Sequence, residues 1–199
     1  MTNILLAGVG GQGTVLASKL LARAAMDAGL NVRTAETIGM AQRGGCVVSH
    51  VRIGNCYSSL IPLGAADFII GFEPGEAVRC LPYLKNGGAV VAATGGVMPV
   101  TASLGSCDYS PEAMLDYLRR TVPNLTLLDG SEVCAQCGSS KVLNVALLGA
   151  FATAYEQLST APEITFAGIE NAVREMVPER FIEMNLAALK LGAGVVTAK

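Results

Sequence analysis

The stretch Ile4-Leu5-Leu6-Ala7, then Gly8-Val9-Gly10-Gly11-Gln12-Gly13, then Thr14-Val15-Leu16-Ala17, constrains this chain more than any other. An apolar run, a glycine turn and an apolar helical stretch in that order make a strand, a tight turn and a helix. Gly8, Gly10 and Gly13 fit G-x-G-x-x-G. Glycine permits the sharp turn, lets a ligand come close to the backbone, and lets the helix pack tightly on the strand. The N–H groups that open the helix can receive an anion, helped by the helix dipole. A buried strand-to-helix turn needs small residues for packing alone, so this motif by itself does not fix function.

The rest of the chain reads as further strands and helices hung on this unit, with no internal repeat. Helix 12–29 has Leu16, Leu20 and Ala24 on one face, with Gly29 as its stop. Residues 31–37 read as a second strand that completes a βαβ unit, and Glu36 ends it where a dinucleotide enzyme would place its ribose-binding acid. Residues 46–53 alternate as a strand with one polar face, Val48, His50 and Arg52, and residues 55–62 are expected to pair with it as a hairpin. The runs 68–72 and 89–93 are continuous and apolar, as strands buried on both faces are, with a helix at 74–84 between them. Ser110-Pro111-Glu112 opens a further helix with a serine cap and proline at its first position. A strand at 125–129 follows, then an almost wholly apolar helix at 141–158 and two final helices at 165–176 and 179–191. The expected fold is α/β: a Rossmann-like, doubly wound, mainly parallel sheet with helices on both faces and a C-terminal helical segment. With 199 residues the chain is read as a single domain, an α/β core over about 1–160 and helices over about 163–195.

Composition narrows the partners. Only 15% of the residues are charged, against about a quarter in ordinary globular domains, and 51% are hydrophobic, which predicts surface hidden against other subunits. The net charge is −2 and the 14 Lys and Arg residues are scattered, which argues against nucleic acid. The uncharged helical stretch 142–155 suits a buried core helix and is too short for a membrane span of about 20 residues. With no leader pattern in view, the expected location is cytoplasmic. Six dispersed cysteines are expected to be reduced thiols. Cys134-Ala-Gln-Cys137 is the lone C-x-x-C and His50 the lone histidine, too few ligands for a zinc or iron–sulfur site, so no metal site is assigned.

A second glycine-rich segment, Gly39-Met40-Ala41-Gln42-Arg43-Gly44-Gly45, follows the second strand where an ordinary Rossmann fold has no use for it. Arg43 offers a permanently charged fork for phosphate or carboxylate, and Gly44-Gly45 can bring backbone close to a ligand.

Taken together, the 8–13 and 39–45 segments resemble those of the gamma-type subunit family of 2-oxoacid:ferredoxin oxidoreductases, and within it most resemble the small (beta) subunits of indolepyruvate:ferredoxin oxidoreductases. The likeness continues through Ser49-His50-Val51-Arg52, Phe72-Glu73-Pro74 and Asn144-Val145-Ala146, and covers most of the chain to about residue 155. The resemblance implies a complex that decarboxylates an aryl 2-oxoacid oxidatively, joins the acyl group to coenzyme A and passes electrons to ferredoxin. It further implies that thiamine diphosphate and the iron–sulfur clusters sit on a large partner subunit, in keeping with the lack of a Gly-Asp-Gly motif here. No catalytic residue is therefore expected in this chain, and the isolated chain is expected to be inactive. Its expected contribution is a cofactor-binding wall toward coenzyme A made by Gly8, Gly10, Gly11, Gln12, Gly13, Gln42, Arg43, Gly44 and Gly45. An isolated chain could also pair with itself through the surface meant for its partner.

Two rival readings stand beside this one. A stand-alone NAD(P)-dependent oxidoreductase would use Gly8, Gly10, Gly13 and Glu36, although Gly11-Gln12 crowd the turn and the 42–45 loop falls where the adenosine ribose would lie. A structural scaffold subunit would touch no ligand at all.

Overall fold

The structure is a computed structural model that describes residues 1–38, 45–98, 108–160 and 162–197. Six strands form one sheet: β1 (Thr2–Val9), β2 (Val32–Ile38), β3 (Cys46–Ile53), β4 (Ala66–Gly71), β5 (Leu84–Ala93) and β6 (Asn124–Leu128), in the order β2-β3-β1-β4-β5-β6. β1, β4, β5 and β6 run parallel, whereas β3 is antiparallel to both β1 and β2. The helices are α1 (Thr14–Asp27), α2 (Pro74–Cys80), α3 (Pro111–Thr121), α4 (Gly130–Cys137), α5 (Leu143–Leu158), α6 (Phe166–Met176) and α7 (Glu179–Thr197).

The two faces of the sheet follow from the two-residue period of its strands. Ile4, Leu6, Val51, Ile53, Phe68, Ile70 and Val91 point to one side, where they meet α1, α5, α6 and α7. Leu5, Ala7, Val48, Ile69, Val90 and Ala92 point to the other, where Ala77 and Cys80 of α2 and Leu118 of α3 cover them. Each fully buried Leu, Ile or Phe among them contributes about 1.5–3 kcal/mol. The α/β fold with helices on both faces is thus the one the sequence implies. α5 is buried almost all round, and α7 lies along it through Gly149 and Gly192, where a Cβ on either glycine would overlap the backbone of the other helix. No single helix among the described residues is long and apolar enough to cross a membrane.

Several expectations are corrected. β2 is not the neighbour of β1, because β3 returns between them in full antiparallel register, from Thr2 opposite Ile53 to Val9 opposite Cys46. Residues 55–62 form no strand. They cross the α2 side as a loop that seats Ile61 in the core, so the polar face of β3 is buried, with His50 4% and Arg52 8% exposed. The helix at 74–84 ends at Cys80: Pro82 lies in a short 3-10 turn, Leu81–Tyr83, and β5 already begins at Leu84. The Cys134/Cys137 segment, which carries no regular pattern in the sequence, is helix α4, capped by the Asp129 carboxylate and ended by Gly138 at φ 69°.

Candidate functional site

β1 and β4 are adjacent and parallel, with Ala7 opposite Gly71. The chain leaves β1 into α1 on one face and leaves β4 into α2 on the other. This divergence opens a crevice beyond the carboxyl ends of the two strands, the usual binding place in open α/β sheets. The glycine-rich turn lies at its mouth.

Gln12 fills the crevice. Its Oε1 accepts from Val9 N at 2.8 Å and its Nε2 donates to the Phe72 carbonyl at 3.1 Å, while Phe72 N donates to the Ala7 carbonyl at 2.8 Å. Gly8 must be glycine because a Cβ there would stand 2.8 Å from both Gln12 Oε1 and Phe72 Cβ. Gly13, at φ 80°, caps α1, and its missing Cβ leaves room for Asn144 of α5, whose Nδ2 lies 3.4 Å from the Gly13 carbonyl. Two of the three motif glycines are therefore required by packing within the chain. Gly11 is different: it has φ 100°, and a Cβ on it would meet nothing within 4 Å. The turn is open to an outside group there. The first turn of α1 carries no side-chain cap and no acidic residue, which leaves its N–H groups and positive dipole end suited to an anion.

The structure brings Gly8, Gly10, Gly11, Gln12, Gly13 and Gly45 together, because Gly10 N donates to the Gly45 carbonyl at 2.9 Å. Gln42, Arg43 and Gly44 lie outside the described residues. Glu36 is not at the mouth of the crevice. It accepts from Ser18 Oγ at 3.4 Å on β2, which β3 separates from β1. At about 4.8 Å per strand, the acid stands two strand spacings from the turn rather than one. A dinucleotide would also find its crevice occupied by Gln12.

On the far side of the crevice Glu73 caps α2. Its carboxylate accepts from Glu76 N at 2.9 Å and from the Tyr109 hydroxyl, and burial pushes its pKa up against the pull of the backbone N–H groups of Glu76, Val97 and Gly75. With both oxygens engaged it anchors the α2 terminus. His50 is an acceptor too: Ile61 N donates to its Nδ1 at 3.2 Å, Tyr83 packs edge-on, and burial followed by the nearby Arg52 charge holds its pKa below the ordinary value. It is a neutral imidazole inside the sheet's flank, away from the turn. Burial likewise raises the Cys134 and Cys137 thiols and pushes Cys80 up to about 11. Among the described residues no three His, Cys, Asp or Glu side chains converge to hold a metal ion.

Sequence reasoning did not foresee the parts played by Gln12, Phe72 and Asn144. A signal existed for one of them, since Asn144 is the sole amide in the apolar run 142–155. The Gln12 bridge had no such signal, because its partner Phe72 is fixed only by strand pairing.

The model of the pyruvate ferredoxin/flavodoxin oxidoreductase family matches residues 3–195. The chain is 39% identical over 191 residues to the indolepyruvate oxidoreductase subunit IorB of Archaeoglobus fulgidus, an alignment covering 96% of this chain and 92% of that one. Among solved structures, it is similar to the gamma subunit of a keto/oxoacid ferredoxin oxidoreductase from Geobacter sulfurreducens, with a TM-score of 0.72, 23% identity and full coverage of both chains. It is also similar to part of the 2-oxoglutarate:ferredoxin oxidoreductase of Magnetococcus marinus, solved with 2-oxoglutarate, coenzyme A and succinyl-CoA bound, with a TM-score of 0.74 and 20% identity. That match covers all of this chain and 31% of the other.

Proposed function

The chain belongs to the pyruvate ferredoxin/flavodoxin oxidoreductase family as a small, gamma-type subunit of a 2-oxoacid:ferredoxin oxidoreductase, and from that premise we propose that its complex acts on indolepyruvate or a related aryl pyruvate. In the reaction a 2-oxoacid and coenzyme A give an acyl-CoA, carbon dioxide and a proton, and the two electrons released reduce ferredoxin. The observation that carries the aryl substrate is the 39% identity to a subunit named for indolepyruvate over nearly the whole of both chains.

The division of labour follows from the residues. Glu73, with both carboxylate oxygens hydrogen-bonded, is no free acid or base at the crevice, and among the described residues no three His, Cys, Asp or Glu side chains gather as a cluster would need. Thiamine diphosphate and the iron–sulfur clusters are accordingly assigned to a large partner subunit, with ferredoxin docking on the complex. This chain supplies a wall of the coenzyme A site. Gly11 and the uncapped first turn of α1 are the open part of that wall, joined by Gly45, and Arg43, two residues before Gly45 in the sequence, offers a guanidinium for a phosphate. The common core of the sheet with α1, α5, α6 and α7 supports reading residues 1–199 as one domain.

The test is capture of the tagged chain from its native cells under anaerobic conditions, with the eluate assayed for reduction of ferredoxin or a viologen dye. The expected result is a large partner and activity that requires both indolepyruvate and coenzyme A. In the same complex, Gly10→Val and Arg43→Ala should raise the apparent KM for coenzyme A. An unchanged KM in both removes the coenzyme A wall from the reading.

A further inference from the structure

The motif Ser49-His50-Val51-Arg52 has no part in the crevice, and the structure shows where two of its members are used. Arg52 is buried, and its guanidinium donates to Asn3 Oδ1 at 2.9 Å and to the carbonyls of Ser58 and Leu60, each at 3.0 Å. His50 receives Ile61 N, and Arg33 Nε donates to the Cys56 carbonyl at 2.6 Å. Three basic side chains thus fix the backbone of the 54–65 loop. What the loop then presents is unusual: Tyr57 is fully exposed, Leu60 is 54% and Leu63 68% exposed, and residues 53–66 contain no charge.

The surroundings are equally one-sided. α2 and α3 cover the sheet over β4 and β5 on this face, but over β3 the described cover is this loop. Arg33 stands directly across the β2–β3 ladder from Arg52, a like-charge pairing that ordinarily destabilises. Neither arginine has an ion-pair partner among the described residues. An open recess between β2 and the loop is lined by Asn31, Arg33, Asn55 and Tyr57.

We propose that the 54–65 loop and the Arg33 recess are the docking surface for the large subunit of the complex, which meets them with an apolar hollow rimmed by carboxylates. The proposal rests on the subunit reading above. Charge complementarity selects the rim, because the exposed Arg33 guanidinium has no acid beside it among the described residues, and the uncharged loop with its exposed Tyr and Leu side chains selects the hollow. A fixed loop loses little entropy on docking, and a Tyr beside an Arg is the composition of interface hot spots. A larger polypeptide fits better than a second copy of this chain. In the Magnetococcus marinus enzyme the match covers 31% of one longer chain, so there this fold shares its polypeptide with further protein. A two-fold pairing of copies through this patch would bring arginines toward arginines.

The experiment is assembly of the co-expressed complex with Leu60→Asp/Leu63→Asp, Tyr57→Ala and Arg33→Glu, alongside Met26→Asp as an exposed apolar control on α1. The loop variants and Arg33→Glu should each weaken assembly by roughly 30-fold or more, with the melting of the isolated chain unchanged for the loop variants. Met26→Asp should assemble normally. If wild type assembles and all variants match it, the docking surface is wrong while the subunit reading stands. If wild type finds no large subunit, both fall. If the isolated wild-type chain is a dimer that Leu60→Asp/Leu63→Asp dissolves while the large subunit still binds, the patch serves a second copy and the proposal is overturned.

Discussion

Gly192 of α7 packs its Cα against the Ala146 carbonyl of α5, leaving no room for a methyl group, and Gly149 meets the Leu189 carbonyl in the same way from the opposite helix. Backbone against backbone cannot give way as a side chain can. Gly192→Ala or Gly149→Ala is therefore expected to cost about 1–3 kcal/mol or more through overpacking. Gly194→Ala, two residues on and with nothing within 4 Å of the new Cβ, should be neutral or stabilise by up to about 1 kcal/mol. Urea unfolding of the three variants checks the contrast.

Gln12→Leu keeps the volume of the side chain and deletes both of its hydrogen bonds. Val9 N and the Phe72 carbonyl lose their partner inside the crevice, at a cost of about 1–3 kcal/mol. Thermal unfolding should show the loss, and Gln12→Glu should be nearly as damaging because a carboxylate cannot donate to the Phe72 carbonyl.

Arg52→Lys retains the charge and loses the fork. One ammonium cannot reach Asn3 together with the carbonyls of Ser58 and Leu60. The expected loss is about 2–4 kcal/mol, accompanied by new proteolytic cleavage within residues 54–62 while the remaining chain stays resistant.

The histidine makes stability depend on pH. The His50 pKa lies below its ordinary 6.5 in the folded chain, mainly through burial and secondarily through Arg52. The unfolded chain then binds the extra proton first, so folding stability falls as pH drops through 6.5 and continues to fall until the folded pKa is passed. Melting temperatures from pH 7.5 down to 5.5 should fall less steeply for His50→Asn than for wild type. Parallel slopes for the two proteins would show that His50 does not carry the effect.

Much of the fold can be read from the sequence because its signals are local. The run Phe68–Phe72, the Ser110-Pro111 cap and the apolar periodicity of 143–158 each act within one element. Strand order is not local. Nothing in Cys46–Ile53 announces that it inserts between β1 and β2 antiparallel to both, since alternation fixes which side chains share a face and says nothing about the neighbour. The same blindness hid the loop at 55–62: its apolar residues imitate a strand, while the arginine and histidine that hold it lie earlier in the chain. The site was legible in its glycines and not in their reasons. Gly11 and Gly13 announce positive φ, but that Gly8 makes room for Gln12 follows only once Phe72 is known to stand beside Ala7.

Gln12 can be regarded as a ligand on a tether of its own chain. It holds the slot in every molecule at an effective concentration that no free nucleotide matches, so any compound that reaches for the Phe72 carbonyl must first evict an intramolecular competitor. Molecules that only graze the rim at Gly11 face no such competition. A dinucleotide that needed that carbonyl would have to displace Gln12, and an inhibitor built to mimic NAD is expected to bind this subunit weakly.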